Sequence, residues 1–234
     1  MDLENRMSMR PLALIPLALA LFAAGCSDER HPTGVQPPPA AAPHFLRWAG
    51  NTAPQFATGD ASLPASALGY PLASLSDGGL SLDRNTATFW AVRGEPRSIQ
   101  INYLSFTGDT SSPFLRLTIT DPVYVPGRGD LAPGDSVEIT VTIDPSTIKV
   151  SLEPTGTLFG DPSQLQISYG GADGDLNGDG VVDAADAAIE QQLLGLWYSE
   201  GEGTPWTKIP ATQSLADKSF TSALAHFSLY AVSY

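Results

Sequence analysis

The sequence predicts an all-β sandwich, and three observations predict it. Apolar side chains recur at every second position through most of the chain after residue 86, the period of strands with one buried face. Clusters of Gly, Pro, Asp and Ser separate these runs at short intervals, as in domains built from many short strands. The composition agrees, with 22 Gly and 20 Pro in 234 residues, 42% hydrophobic and 16% charged. That is enough apolar material for a buried core and too much for a disordered chain.

At the amino end, Leu12 to Phe22 is an apolar run of 11 residues, preceded by Arg6 and Arg10 and followed by Ala23-Ala24-Gly25-Cys26. It is too short for a bilayer core of about 30 Å and has the length of a signal-peptide h-region. Asp2 and Glu4 offset the two arginines, so Met7 and Met9 stand beside Met1 as starts. The small residues ahead of the single cysteine resemble a bacterial lipobox, with Ala23 where that motif usually has Leu. The resemblance implies cleavage of the leader 1–25, acylation of Cys26, and a lipid-anchored protein on the exported side of a bacterial cell envelope, periplasmic or cell-surface. The membrane is then a partner without any transmembrane helix, since acyl chains contribute about 0.8 kcal/mol per buried methylene. An ordinary secretory signal with an incidental thiol is the other reading. Residues 26–44 are rich in Pro and Ala with no apolar period, a semi-extended tether. The folded domain is expected over 45–234.

Within that domain, residues 45–82 carry Trp48, Phe56 and Tyr70 among Ala, Ser, Gly and Pro, an irregular stretch with one or two strands. Alternation is then clear. Ile99, Ile101 and Tyr103 form one run, Leu115, Leu117 and Ile119 the next, then Val137, Ile139, Val141 and Ile143, then Ile148, Val150 and Leu152, then Leu165, Ile167 and Tyr169. Turn chemistry at 94–96, 126–130, 133–135, 144–146 and 154–156 separates them. A strand is expected at Leu196-Trp197-Tyr198, and the chain closes on an apolar strand segment from Phe220 to Tyr234. Residues 137–234, with Leu158-Phe159-Gly160 and the ending from His226 to Tyr234, resemble bacterial surface relatives of the β-sandwich module shared by ankyrins, netrin receptors and zonula occludens proteins. The resemblance implies a structural or interaction unit.

One segment breaks the alternation. Residues 175–186 read Asp-Leu-Asn-Gly-Asp-Gly-Val-Val-Asp-Ala-Ala-Asp. A twelve-residue calcium loop supplies oxygens from positions 1, 3, 5, 7, 9 and 12 at about 2.3–2.6 Å. These positions are Asp175, Asn177, Asp179, the backbone carbonyl of Val181, Asp183 directly or through water, and Asp186. Gly180 occupies position 6, where the backbone turns sharply, and Val182 at position 8 is expected to turn inward. Ile189 and Leu193 are spaced to share a helix face, with Gly195 suited to close that helix. Asp186 in the last slot, and the run through Gly195, resemble a dockerin loop. Dockerins carry two such loops and bind cohesins, whereas this chain carries one. The prediction is therefore an immunoglobulin-like β-sandwich with one short helix after an EF-hand-like calcium loop, inserted at 173–195. Calcium is the expected cofactor, in a structural or a regulatory and docking role; a solvated acidic turn is the alternative.

Charge and motifs narrow the function. With 12 Lys+Arg against 25 Asp+Glu and a net charge of −13, nucleic acid is excluded as a natural partner. One cysteine excludes an internal disulfide and any multi-cysteine metal site. The chain has no G-x-S-x-G, H-E-x-x-H, P-loop or G-x-G-x-x-G motif, and no catalytic residue is assigned. Gly134-Asp135-Ser136 and Arg128-Gly129-Asp130 are explained as turns. His226-Phe227-Ser228 is explained as strand, although some animal relatives of the sandwich module cut themselves at such a triplet, His acting as base and Ser as nucleophile. Trp90, Trp197 and Trp206 either fill the core or line a carbohydrate platform. The expected function is a non-enzymatic, lipid-anchored structural or adhesive protein. The alternative is a calcium-dependent module binding a glycan or a partner protein.

Overall fold

The structure is a computed structural model that describes residues 43–58, 81–104 and 110–234. The leader, Cys26 and residues 26–42 of the tether lie outside the described residues. In chain order the elements are β1 (Phe56–Thr58), β2 (Thr86–Val92), β3 (Arg97–Leu104), β4 (Thr110–Ile119), β5 (Pro122–Val125), β6 (Gly129–Asp130), β7 (Ser136–Ile143), β8 (Lys149–Glu153) and β9 (Leu158–Ser168). There follow α1 (Ala184–Gln192), β10 (Gly195–Ser199), β11 (Thr207–Ile209), β12 (Thr212–Ser214), β13 (Ser219–His226) and β14 (Leu229–Ser233).

These strands form an all-β sandwich. Among the described residues, one sheet has eight strands in the order β1-β3-β4-β9-β13-β12, with β5 and β6 off β9, and the other has six in the order β11-β10-β14-β8-β7-β2. The alternating runs supply the facing layers. Leu115 pairs with Ile167 and Leu117 with Leu165 across β4 and β9; these four, with Ile139, Val141, Val150 and Leu152 of the second sheet, are fully buried. Register is set by this pattern, because a slip of one residue would turn each apolar set to water.

The closing segment is two strands, not one. β13 pairs with β9 in the large sheet and β14 pairs with β8 and β10 in the small one. Phe227 and Ser228 cross between the sheets, both fully buried. β14 is buried on both faces from Leu229 to Ser233, which accounts for its apolar run from Leu229 to Val232.

The first described residues close against this last strand. The His44 amide donates to the Tyr234 carbonyl at 2.8 Å, the Leu46 amide to Val232 at 3.1 Å, and the Ile148 amide to Leu46 at 2.8 Å. Among the described residues pairing thus begins at His44, the last residue of the stretch read as tether. Trp48 is fully buried, its ring 5.6 Å from Phe56, 6.5 Å from Tyr103 and 5.4 Å from Phe114. Its indole N–H donates to the Asp144 carbonyl at 2.9 Å. The irregular stretch therefore contributes an aromatic corner of the core. Among the described residues no helix is long and apolar enough to cross a membrane.

Candidate metal centre

The connection from β9 to β10 passes from the large sheet to the small one, and the acidic loop lies in that connection. Its backbone turns through Gly178 and Gly180 at φ of 77° and 88°, a left-handed conformation that a Cβ disfavours. Asp183 ends the loop as the N-cap of α1. Its carboxylate accepts the Ala185 amide at 2.7 Å, while Asp186 reaches back to the Asp183 amide at 2.8 Å, a reciprocal capping box.

Positions 1 and 12 organise the remainder. Asp175 Oδ1 accepts the amides of Gly178 and Asp179 at 2.8 and 3.1 Å, and its Oδ2 that of Gly180 at 2.7 Å. Asp186 Oδ1 accepts the amides of Leu176 and Asn177 at 2.7 and 3.1 Å. Asn177 Oδ1 takes the Asp179 amide, Asn177 Nδ2 donates to Asp179 Oδ2 at 3.0 Å, and Asp179 Oδ1 takes the Val181 amide. Asp186 is only 3% exposed, covered by its own loop close to the molecular surface. The Asp183 amide, against the opposing effect of desolvation, holds its carboxyl below the usual carboxylate range, with the Asn177 and Leu176 amides adding to it.

All five side chains expected to ligate are thus engaged with the loop itself. Among the described residues no group of three or more His, Cys, Asp or Glu side chains is gathered as a metal site. The donor set fits calcium on lone-pair capacity. A carboxylate offers about four acceptor sites; Asp175 and Asp186 use three each, Asp179 and Asp183 two each. Every one retains capacity for a cation, and all are the hard oxygen donors that calcium takes. With Asp173, five carboxylates lie between residues 173 and 186, and among the described residues none has a cationic partner.

Three local expectations are corrected. Val182 is 69% exposed, because the lone loop has no second loop against which position 8 could pack. Ile189 packs on the core while Leu193 is 52% exposed, so they do not share a buried face. Gly195 does not close the helix; α1 ends at Gln192 and Gly195 opens β10. Lys208 performs the capping, its Nζ donating to the carbonyls of Leu193 and Leu194 at 2.8 and 3.2 Å. A Cβ on Gly195 would stand 2.1 Å from Lys208 Cε, so the glycine makes room for that side chain.

The loop is tied to both ends of the domain. The Tyr234 hydroxyl donates to the Leu176 carbonyl at 2.7 Å, and the Asp173 amide donates to Arg47 at 3.0 Å. Tyr234 stacks on His44 with ring centroids 4.7 Å apart. Burial, then the negative charges of Asp186 and Asp175, push its hydroxyl pKa up. Neither Tyr234 nor Lys208 carries a sequence signal for these contacts, since both arise from distant strands brought to the loop by the sheet order.

The other motifs are distributed as follows. Arg128 donates to the Ser136 carbonyl at 2.6 Å and pairs with Asp135 at 3.5 Å, and Asp135 accepts the Ala132 amide at 2.8 Å, so both short echoes are turn contacts. His226 Nδ1 is 3.3 Å from the Phe227 carbonyl oxygen and its Nε2 is 3.7 Å from Glu200. The buried Ser228 hydroxyl donates to the Ser199 carbonyl. Trp90 is 56% exposed on β2, while Trp197 and Trp206 are half-buried. β2 and β10 are four strand spacings apart in the small sheet, about 19 Å, so Trp90 and Trp197 form no common platform.

The fold and the loop define the class as an all-β sandwich with an acidic twelve-residue insertion. A scan of the chain against protein-family models finds no match, and a search of curated proteins likewise finds none.

Proposed function

We propose that the chain is a non-enzymatic cell-envelope protein, anchored through acylated Cys26, whose structural or adhesive sandwich is stabilised by one calcium ion. The ligands would be Asp175, Asn177, Asp179, the Val181 carbonyl, Asp183 and Asp186. The observation that carries the reading is the attachment of the loop. Its Leu176 carbonyl and Asp173 amide are bonded to Tyr234 and Arg47, close to the two ends of the described domain. Five carboxylates without a cationic partner among the described residues repel one another; a bound divalent ion would offset that repulsion and stiffen the attachment of the loop to Arg47 and Tyr234. A site of about 10⁻⁴–10⁻³ M would suffice outside a cell. Calorimetric titration of calcium into the leaderless protein, with the thermal midpoint followed in parallel, tests this. Saturable binding and a raised midpoint, both lost in Asp175→Ala and Asp186→Ala, are the expected results. Absence of heat and of any shift would reduce the loop to an acidic turn.

A second reading, a calcium-dependent docking module for a partner protein or glycan, draws support from Val181, Val182 and Leu193. They are 58%, 69% and 52% exposed around the loop and helix. Binding of a partner that survives chelation would remove this reading.

A further inference from the structure

On the solvent face of the eight-stranded sheet, away from the calcium loop, a polar row crosses four strands. Gln100 of β3 pairs with Arg116 of β4, Arg116 with Gln166 of β9, and Gln166 with Thr221 of β13. The row is wired sideways. Arg116 Nε and Nη2 donate to Gln100 Oε1 at 3.2 and 2.6 Å, and Gln100 Nε2 donates to Asn102 Oδ1 at 2.8 Å. Gln166 Nε2 donates to the Ser219 hydroxyl at 3.3 Å. A pocket of about 630 Å³ opens on this row, its walls including Arg116, Gln166, Ser168, Ser219, Lys218 and Tyr103. That volume is typical of small-molecule sites.

Arg116 is the informative side chain. Arg93, Arg97 and Arg128 each stand within 4.0 Å of a carboxylate, whereas Arg116 is held by a neutral amide. A guanidinium has five N–H donors in a planar fork suited to bidentate carboxylate recognition, and Gln100 holds it in place without neutralising it. Lys218, also in the wall, is paired with Glu190 at 3.8 Å and stands on a backbone with φ of 46°, an outlier for a residue with a side chain, which leaves Arg116 as the cation held only by a neutral partner. The carboxylate in the wall, Asp217, accepts the Ser214 hydroxyl at 2.8 Å.

We propose that this pocket binds a saccharide bearing one carboxylate, its acid group on the Arg116 fork and its hydroxyls on the amides and hydroxyls of Gln166, Ser168 and Ser219. A free small carboxylate would leave most of the volume and the polar wall unused. A polyanion would be opposed by the net charge of −13, while a single acid group is repelled least. The inference does not rest on calcium, since none of residues 175–186 lines the pocket.

The test uses the mature protein from Cys26 to Tyr234 in detergent micelles, titrated calorimetrically with cellobiouronic acid, with cellobiose as its neutral counterpart, and with acetate. Saturable binding of the acid is expected, about tenfold or more tighter than either control. Arg116→Gln should weaken it by about tenfold or more. So should Gln100→Glu, which sets a carboxylate into the same fork; thermal midpoints identify whichever variant keeps its fold. No heat with cellobiouronic acid at millimolar concentration overturns the proposal. Equal affinity for cellobiose or for acetate does so too, as does unchanged affinity in a folded variant.

Discussion

Tyr234→Phe deletes one hydroxyl and keeps the ring stacked on His44, so it isolates the bond from the last residue to the loop. The Tyr234 hydroxyl donates to Leu176 at 2.7 Å, and a neutral hydrogen bond of this kind contributes about 0.5–1.5 kcal/mol net. For a domain of this size each kcal/mol moves the thermal midpoint by about 2–4 °C, so the variant should melt about 1–6 °C lower. Calcium adds the discriminating measurement. At 10 mM free ion and a dissociation constant of about 10⁻⁴–10⁻³ M, the proposed binding would stabilise the native state by about 1.4–2.7 kcal/mol. Because Leu176 lies between two proposed ligand positions, a loop untied from Tyr234 would leave more of its ordering to the ion. The variant should then bind calcium up to about fivefold more weakly, a coupling of about 1 kcal/mol. Scanning calorimetry of both proteins, in calcium and in chelator, gives all four corners of the cycle. Equal losses in calcium and in chelator would mean that calcium binding and the Tyr234 bond are uncoupled, and the reasoning would fail.

Gly195→Ala should displace Lys208 from the carbonyls of Leu193 and Leu194 and cost about 0.5–1.5 kcal/mol. Lys208→Ala should cost a similar amount, and Gly195→Ala should add little to it in a urea-denaturation cycle. At high pH, burial pushes the Tyr103 hydroxyl up to about 12 against its hydrogen bonds with Ser168 and Gly171, and burial raises Tyr230 as well. Both are favoured neutral in the fold, so their stabilisation is complete below pH 10 and lost as pH rises through the raised values. Urea midpoints should fall steeply there, less so in Tyr103→Phe. At low pH the sign reverses. Burial raises Asp144, but the amides of Ser146 and Thr147, the Thr147 hydroxyl and Lys149 outweigh it and lower its pKa. Its contribution is present above the ordinary carboxylate range and disappears as pH falls through the lowered value, so Asp144→Asn should flatten the acid limb of the stability curve.

What could be read in the sequence is what has a period. Ile99 to Tyr103, Leu115 to Ile119, Val137 to Ile143, Ile148 to Leu152 and Leu165 to Ile167 alternate because one face of each strand meets the other sheet, and all lie in or beside strands. The acidic loop and the helix after it were legible because fixed spacing and N-cap chemistry are local. The corner built on Trp48 was not, since its partners Phe56, Tyr103, Phe114 and Asp144 come from four separate stretches. The split of the closing segment was also hidden. Residues buried on both faces show no alternation, so Phe220 to Tyr234 reads as one apolar run while Phe227 and Ser228 change sheets. Gly195 was misassigned for a related reason, its requirement being set by Lys208 on a facing strand.

The position of the acidic loop makes physical sense of its short helix. Nine residues are too few for an isolated helix to persist in water, and α1 is held by Asp183 and Asp186 at one end, Lys208 at the other, and Ile189 against the core. The loop carries the chain from β9 in one sheet to β10 in the other, and β10 pairs directly with β14, whose end neighbours Tyr234. Loosening the loop therefore loosens the strand that closes the small sheet and the hydroxyl that holds the loop. Ordering it acts on both at once. An ion bound by four carboxylates at this crossing would act on the join between the two sheets and, through Tyr234, on the residues around His44 that pair with the end of the chain.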